Sequence, residues 1–153
     1  MPIGELISTL SDVTITTWAD FSNSGGAWQR IWDFGSGSGN NPYMFLCARV
    51  GTSGVVRFAI RTATIGEQVV NTPDRLASGW HNVAVSINSQ TMRSSVYMDG
   101  VMVASGATLV LPKDLGPFRR MPGRETAPPV LFPKPQKQEK DLFPEGIYAA
   151  VSR

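Results

Sequence analysis

Ser94-Ser95-Val96-Tyr97-Met98-Asp99-Gly100-Val101-Met102-Val103-Ala104 reads as two short apolar runs joined by Asp99-Gly100. A two-residue type I′ turn needs positive φ at both central positions, and Asp-Gly adopts it at little steric cost, so the stretch predicts an antiparallel hairpin. Just upstream, Trp80-His81-Asn82-Val83-Ala84-Val85-Ser86-Ile87-Asn88 restores an apolar/polar alternation, and Ser89-Gln90 makes a polar turn between the two segments. Alternation with period two belongs to a strand with one buried face.

The same pattern continues toward the N-terminus. Val13-Thr14-Ile15-Thr16-Thr17-Trp18-Ala19 alternates β-branched and aromatic residues with threonine, which suits a half-buried strand. Trp28 to Phe34 alternates again, and the loop Gly35 to Pro42 closes it with turn residues that tolerate positive φ. Tyr43 to Val50 is almost continuously apolar, as a strand buried on both faces would be. Gly51-Thr52-Ser53-Gly54 connects it to Val55–Arg61, where Arg57 and Arg61 share one face while Val56, Phe58 and Ile60 share the other. Between Thr62 and Gly79 the alternation weakens, and Asn71-Thr72-Pro73-Asp74 is expected to be a turn. Strands about ten residues apart with no convincing helix indicate an all-β fold, an antiparallel β-sandwich or barrel.

Composition agrees. With 153 residues, 42% hydrophobic and 17% charged, the chain suits one globular domain, and 15 glycines with 11 prolines favour turns over long helices. Residues 1–116 hold seven Lys/Arg against eight Asp/Glu, and residues 117–153 hold seven against four. The near-neutral body argues against a nucleic-acid partner, which would be met by a basic stripe on the folded part. No segment reaches the roughly 20 apolar residues of a membrane span, and Met1-Pro2-Ile3-Gly4-Glu5 contains no secretory signal as written.

Seven prolines fall after Gly116, interleaved with Lys, Arg and Gln. Proline removes ladder donors, so residues 117–153 are expected to be a mostly irregular tail behind a module of residues 1–116.

With the strands placed, the words Asp12-Val13-Thr14-Ile15-Thr16-Thr17-Trp18, Trp28-Gln29-Arg30-Ile31-Trp32-Asp33-Phe34-Gly35, Tyr43-Met44-Phe45-Leu46, Arg57-Phe58-Ala59-Ile60, Gly79-Trp80-His81-Asn82-Val83-Ala84-Val85 and Val96-Tyr97-Met98-Asp99-Gly100 together resemble the laminin G-like, concanavalin A-like jelly-roll family. The resemblance implies a jelly roll of the kind attached to bacterial secreted glycoside hydrolases, acting outside the cell or at its surface. Such modules usually carry a further strand or two at the start and a final strand that pairs near the first. Here the proline-rich tail replaces most of that end, although Gly146-Ile147-Tyr148-Ala149-Ala150-Val151-Ser152 faintly resembles the closing strand. The sandwich is therefore expected to be incomplete, as in a truncated or frame-shifted module, with unpaired edges and uncovered apolar surface.

No residues are assigned a catalytic role. His81 is the only histidine and follows Trp80 at a strand start, where the family carries the same residue in non-catalytic modules. Glycosidases need two carboxylates facing one groove, and the acids here are isolated. Cys47, the only cysteine, sits among apolar residues and reads as a small buried hydrophobe, which leaves no disulfide within the chain. The Gly35–Gly39 loop lacks the Lys-Ser/Thr ending of a phosphate loop. The resemblance implies a structural calcium, with Asp12, Asp33 and Asp99 as candidate ligands beside turns. It also implies recognition of a carbohydrate or a protein as part of a larger secreted enzyme or surface protein. A structural spacer or adhesion module without a small ligand is the alternative. Trp18, Trp28, Trp32 and Trp80 are framework positions, expected in the core or between sheets. Tyr43 is the ring expected to be exposed, and it joins Asn40 and Asn41 as candidate ligand-binding residues.

Overall fold

The computed structural model describes residues 3–22, 26–35, 41–116 and 148–152. Two antiparallel sheets are stacked face to face. The strands are β1 (Val13–Asp20), β2 (Arg30–Gly35), β3 (Tyr43–Cys47), β4 (Val55–Arg61), β5 (Gln68–Arg75), β6 (Trp80–Asn88), β7 (Arg93–Met98), β8 (Val101–Ala107) and β9 (Tyr148–Ser152). One sheet has the order β8-β7-β6-β1-β9 and the other β2-β3-β4-β5. Two sheets closed on each other in this way make the β-sandwich that the alternation predicts.

The core lies where the apolar phases of the two sheets meet. Val13, Ile15, Val83, Val85, Ile87, Val96 and Met98 come from the five-stranded sheet, and Met44, Leu46, Val56, Phe58, Ile60 and Val70 from the four-stranded one. Trp32 is half-buried against this core, with its ring 6.2 Å from that of Phe58. The free thiol of Cys47 is also buried, with Sγ 3.1 Å from the Arg49 carbonyl oxygen. At one border of the sandwich β8 passes so near β5 that a Cβ on Gly106 would lie 3.1 Å from a methyl of Val70.

Two local features depart from expectation, and a third falls in the stretch that resembles the family's closing strand. The first element is a helical turn, α1 (Ile3–Ile7), which buries Ile7 in the core. Residues 71–74, expected to be a turn, lie within β5. Pairing steps from Arg57↔Asn71 to Val55↔Arg75, so residues 72–74 form a bulge in which Thr72 is buried and Pro73 and Asp74 are exposed. A sheet edge accepts proline at such a bulge, and the Thr72 hydroxyl supplies the missing acceptor by taking a 3.0 Å bond from the Val56 amide. Thirdly, Tyr148–Ser152 pairs antiparallel with β1, from Thr14↔Ser152 to Trp18↔Tyr148. Among the described residues no helix is long and apolar enough to cross a membrane.

Candidate functional site

Strand pairing makes rows of side chains, because directly opposed residues project from the same face of a sheet. Across the outer face of the four-stranded sheet, one row runs Arg30, Cys47, Arg57, Asn71, the next runs Asp33, Phe45, Ala59, Val69, and a third runs Gly35, Tyr43, Arg61. Phe45, Cys47 and Ala59 form a small second apolar cluster on this face. They are buried there because long polar side chains lie over them.

Three of those side chains are arginines on aromatic rings. The Arg30 guanidinium carbon sits 3.5 Å from the centre of the Phe45 ring, that of Arg57 5.5 Å from Trp28, and that of Arg61 5.6 Å from Tyr43. Stacking of this kind keeps a guanidinium flat and its N–H edge presented outward. Carboxylates complete the face. Asp33 accepts from Nε of Arg30 at 3.2 Å, and Glu67 accepts from the Tyr43 hydroxyl at 2.6 Å while lying 4.0 Å from Nη1 of Arg57. Nε of Arg57 donates to Asn71 at 2.9 Å. Burial, reinforced by the bond to Glu67, raises the Tyr43 phenol above its ordinary value and keeps it protonated as a donor.

Of the ligand-binding candidates, Tyr43 is on this face, Asn41 is exposed two residues before it, and Asn40 lies outside the described residues. Arg30, Arg57, Arg61 and Glu67 are not among the binding residues that the sequence offers, although it puts Arg57 and Arg61 on one face. The available signal was the alternation Arg57-Phe58-Ala59-Ile60-Arg61, which puts both arginines on one side.

Tyr43 is only partly exposed, whereas three tryptophans expected inside are open to solvent. Trp18 is 49%, Trp28 48% and Trp80 42% exposed. Their strands do alternate, but the indoles fall on the outer phase. Trp28 stands just before β2 at φ 68°, with its amide donating to the Arg49 carbonyl. Trp18 and Trp80 are outside the five-stranded sheet, opposite Asn82 and Asp20.

The three aspartates proposed for calcium lie apart. Asp33 is on the arginine face. Asp12 is at one end of β6, accepting from the Ser89 amide at 2.7 Å and hydroxyl at 2.9 Å. Asp99 is at the other end, with Oδ2 2.7 Å from Nδ1 of His81 and Oδ1 accepting from the Asn82 amide. The three therefore do not form one ligand set, and among the described residues no three His, Cys, Asp or Glu side chains come close enough to hold a metal ion. The Asp99–His81 pair has the acid–imidazole half of a nucleophilic relay. Nε2 of His81 is buried without a hydrogen-bond partner among the described residues, so no hydroxyl or thiol completes it.

A family model described as the concanavalin A-like lectin/glucanases superfamily matches residues 2–127. Among solved structures, the chain is similar to the CBM40 of a Ruminococcus gnavus IT-sialidase bound to α2,3-sialyllactose, with a TM-score of 0.60 and 17% identity, covering 72% of this chain and 62% of that one. The same CBM40 bound to α2,6-sialyllactose gives 0.58 and 17%, covering 73% and 64%. The chain thus spans less than two thirds of either structure, and at this identity the likeness is one of fold. No curated protein matches the chain in sequence.

Proposed function

The chain belongs to the concanavalin A-like lectin/glucanases superfamily, and on that footing we propose that it is a non-catalytic carbohydrate-binding module whose ligand sits on the outer face of the four-stranded sheet. The observation that carries this reading is the gathering of Arg30, Arg57 and Arg61 with the rings of Phe45, Trp28 and Tyr43. Phe45 is buried beneath Arg30, whereas the exposed ring of Trp28 can stack on the apolar face of a sugar, and guanidiniums fork onto carboxylates. An acidic glycan uses both. Sialyllactose bound to the structurally similar CBM40 is such a glycan, which supports this class of ligand.

In this reading the module serves a larger secreted enzyme or surface protein by holding it on its target, and the chain performs no reaction itself. Calorimetric titration with α2,3-sialyllactose and with lactose tests the proposal. Binding of the acid form in preference to lactose is expected, with Arg57→Ala weakening it about tenfold or more, since a charge-assisted pair is lost. Calcium, the cofactor implied by the resemblance, enters as an arm of the same titration, with and without a chelator. Failure to bind any of a panel of glycans in either condition overturns the proposal.

One observation favours the rival reading of a spacer or adhesion module. Arg30 and Arg57 already have Asp33, Glu67 and Asn71 as partners within the chain, as a surface without a ligand would. The same titration separates the two.

A further inference from the structure

Glu67 stands just ahead of β5 and spans the middle of the arginine face. Its Oε1 accepts from the Tyr43 hydroxyl, and its Oε2 is 4.0 Å from Arg57, beyond hydrogen-bonding distance. The opposite edge of the Arg57 guanidinium is held by Asn71 at 2.9 Å. Between Arg57 and Arg61 in the strand is Ala59, the smallest side chain of the face after Gly35 and completely buried. A carboxylate from the protein therefore stands beside Arg57 while its other oxygen is held by Tyr43.

We propose that Glu67 is the specificity-determining residue of this face, an internal carboxylate that occupies Arg57 until an acidic group of the ligand displaces it. The inference rests on the reading of the face as a glycan site. Its physical basis is the inequality of two contacts. The Arg57–Glu67 pair is long, and its side chains are 21% and 32% exposed, so it contributes little and exchanges readily. A ligand carboxylate can approach the guanidinium as a two-point fork, which is stronger and directional. A neutral sugar offers nothing to replace Glu67 and leaves it in place. Arg75, opposite Val55, adds a fourth guanidinium to Arg30, Arg57 and Arg61, against the carboxylates of Asp33 and Glu67, so the face is net positive. Removing the Glu67 charge raises that excess by one.

The test compares the wild-type chain with Glu67→Gln, which keeps the size of the side chain and an acceptor for Tyr43. Each is titrated at low salt with α2,3-sialyllactose, with lactose and with sodium acetate, following the Arg57 Nε–Hε NMR signal. An otherwise unchanged spectrum establishes that the variant is folded. The expected result is roughly three- to fivefold tighter binding of both acids by the variant, with the lactose response unaltered. Equal or weaker binding of acetate by Glu67→Gln overturns the proposal whatever the glycan does. If neither protein responds to sialyllactose, the glycan reading fails, and the acetate arm still decides what Glu67 does to Arg57.

Discussion

Asp12 sits immediately before β1 and accepts two hydrogen bonds from Ser89, 77 positions away, tying the start of β1 to the end of β6. The Ser89 amide and hydroxyl bonds stabilise the ionised carboxyl and hold its pKa below the ordinary carboxylate value. A depressed folded pKa adds stability that is fully present above the unfolded value and is lost as pH falls through the folded one. Asp12→Asn should therefore lower the thermal midpoint at neutral pH. The gap to wild type should begin to close below about pH 4 and vanish in stronger acid. A pH series of thermal melts checks this, and a gap that persists in strong acid would refute it. Asp20 is depressed in the same direction by Ser22, through bonds only two residues away in the chain. The Ser22 contact is of a kind that sequence can suggest, while the Ser89 contact is not, since nothing local in either residue points to the other.

The β7–β8 hairpin shows how much one element owes to its own residues. Asp99 and Gly100 have φ of 49° and 83°, the left-handed pair that a two-residue type I′ turn requires. Gly100→Ala puts a Cβ into that conformation and should cost about 1–2 kcal/mol, read as a lower urea midpoint at unchanged slope. Asp99 also does something its turn propensity does not announce. It bonds His81 and the Asn82 amide, pinning the hairpin tip to the start of β6. In β5 the balance is reversed. Pro73 marks a break in regular pairing, as its chemistry demands, but only the neighbouring β4 turns that break into a bulge, with the Thr72 hydroxyl serving Val56. β9 is the strongest case of dependence on context, for Tyr148–Ser152 is a strand through its pairing with β1, 130 or more positions earlier.

At the level of the molecule, the two sheets share one core, and Phe58, 1% exposed and packed on Trp32, lies inside it. Phe58→Ala should cost about 3–5 kcal/mol and move tryptophan fluorescence and far-UV circular dichroism together, since neither sheet keeps its inner face without the other. Separate transitions would show that the sheets unfold independently. The antiparallel strands and the partition of Val55–Arg61 into an arginine side and an apolar side were legible in the residues, because a period of two is written in the chain wherever one face is buried. Alternation names two faces but does not say which is inside. Trp18, Trp28 and Trp80, expected inside as framework positions of alternating strands, are put in solvent by the stacking of the sheets. The continuous apolar run Tyr43–Cys47 carries no phase at all, and packing alone sent Met44 and Leu46 inward and Tyr43, Phe45 and Cys47 to the outer face. The arginine face itself depends on pairing across β2 to β5. Glu67 meets Tyr43 over 24 positions of chain, and contacts closed over such distances leave no trace in local composition, since they arise only when the strands are laid side by side.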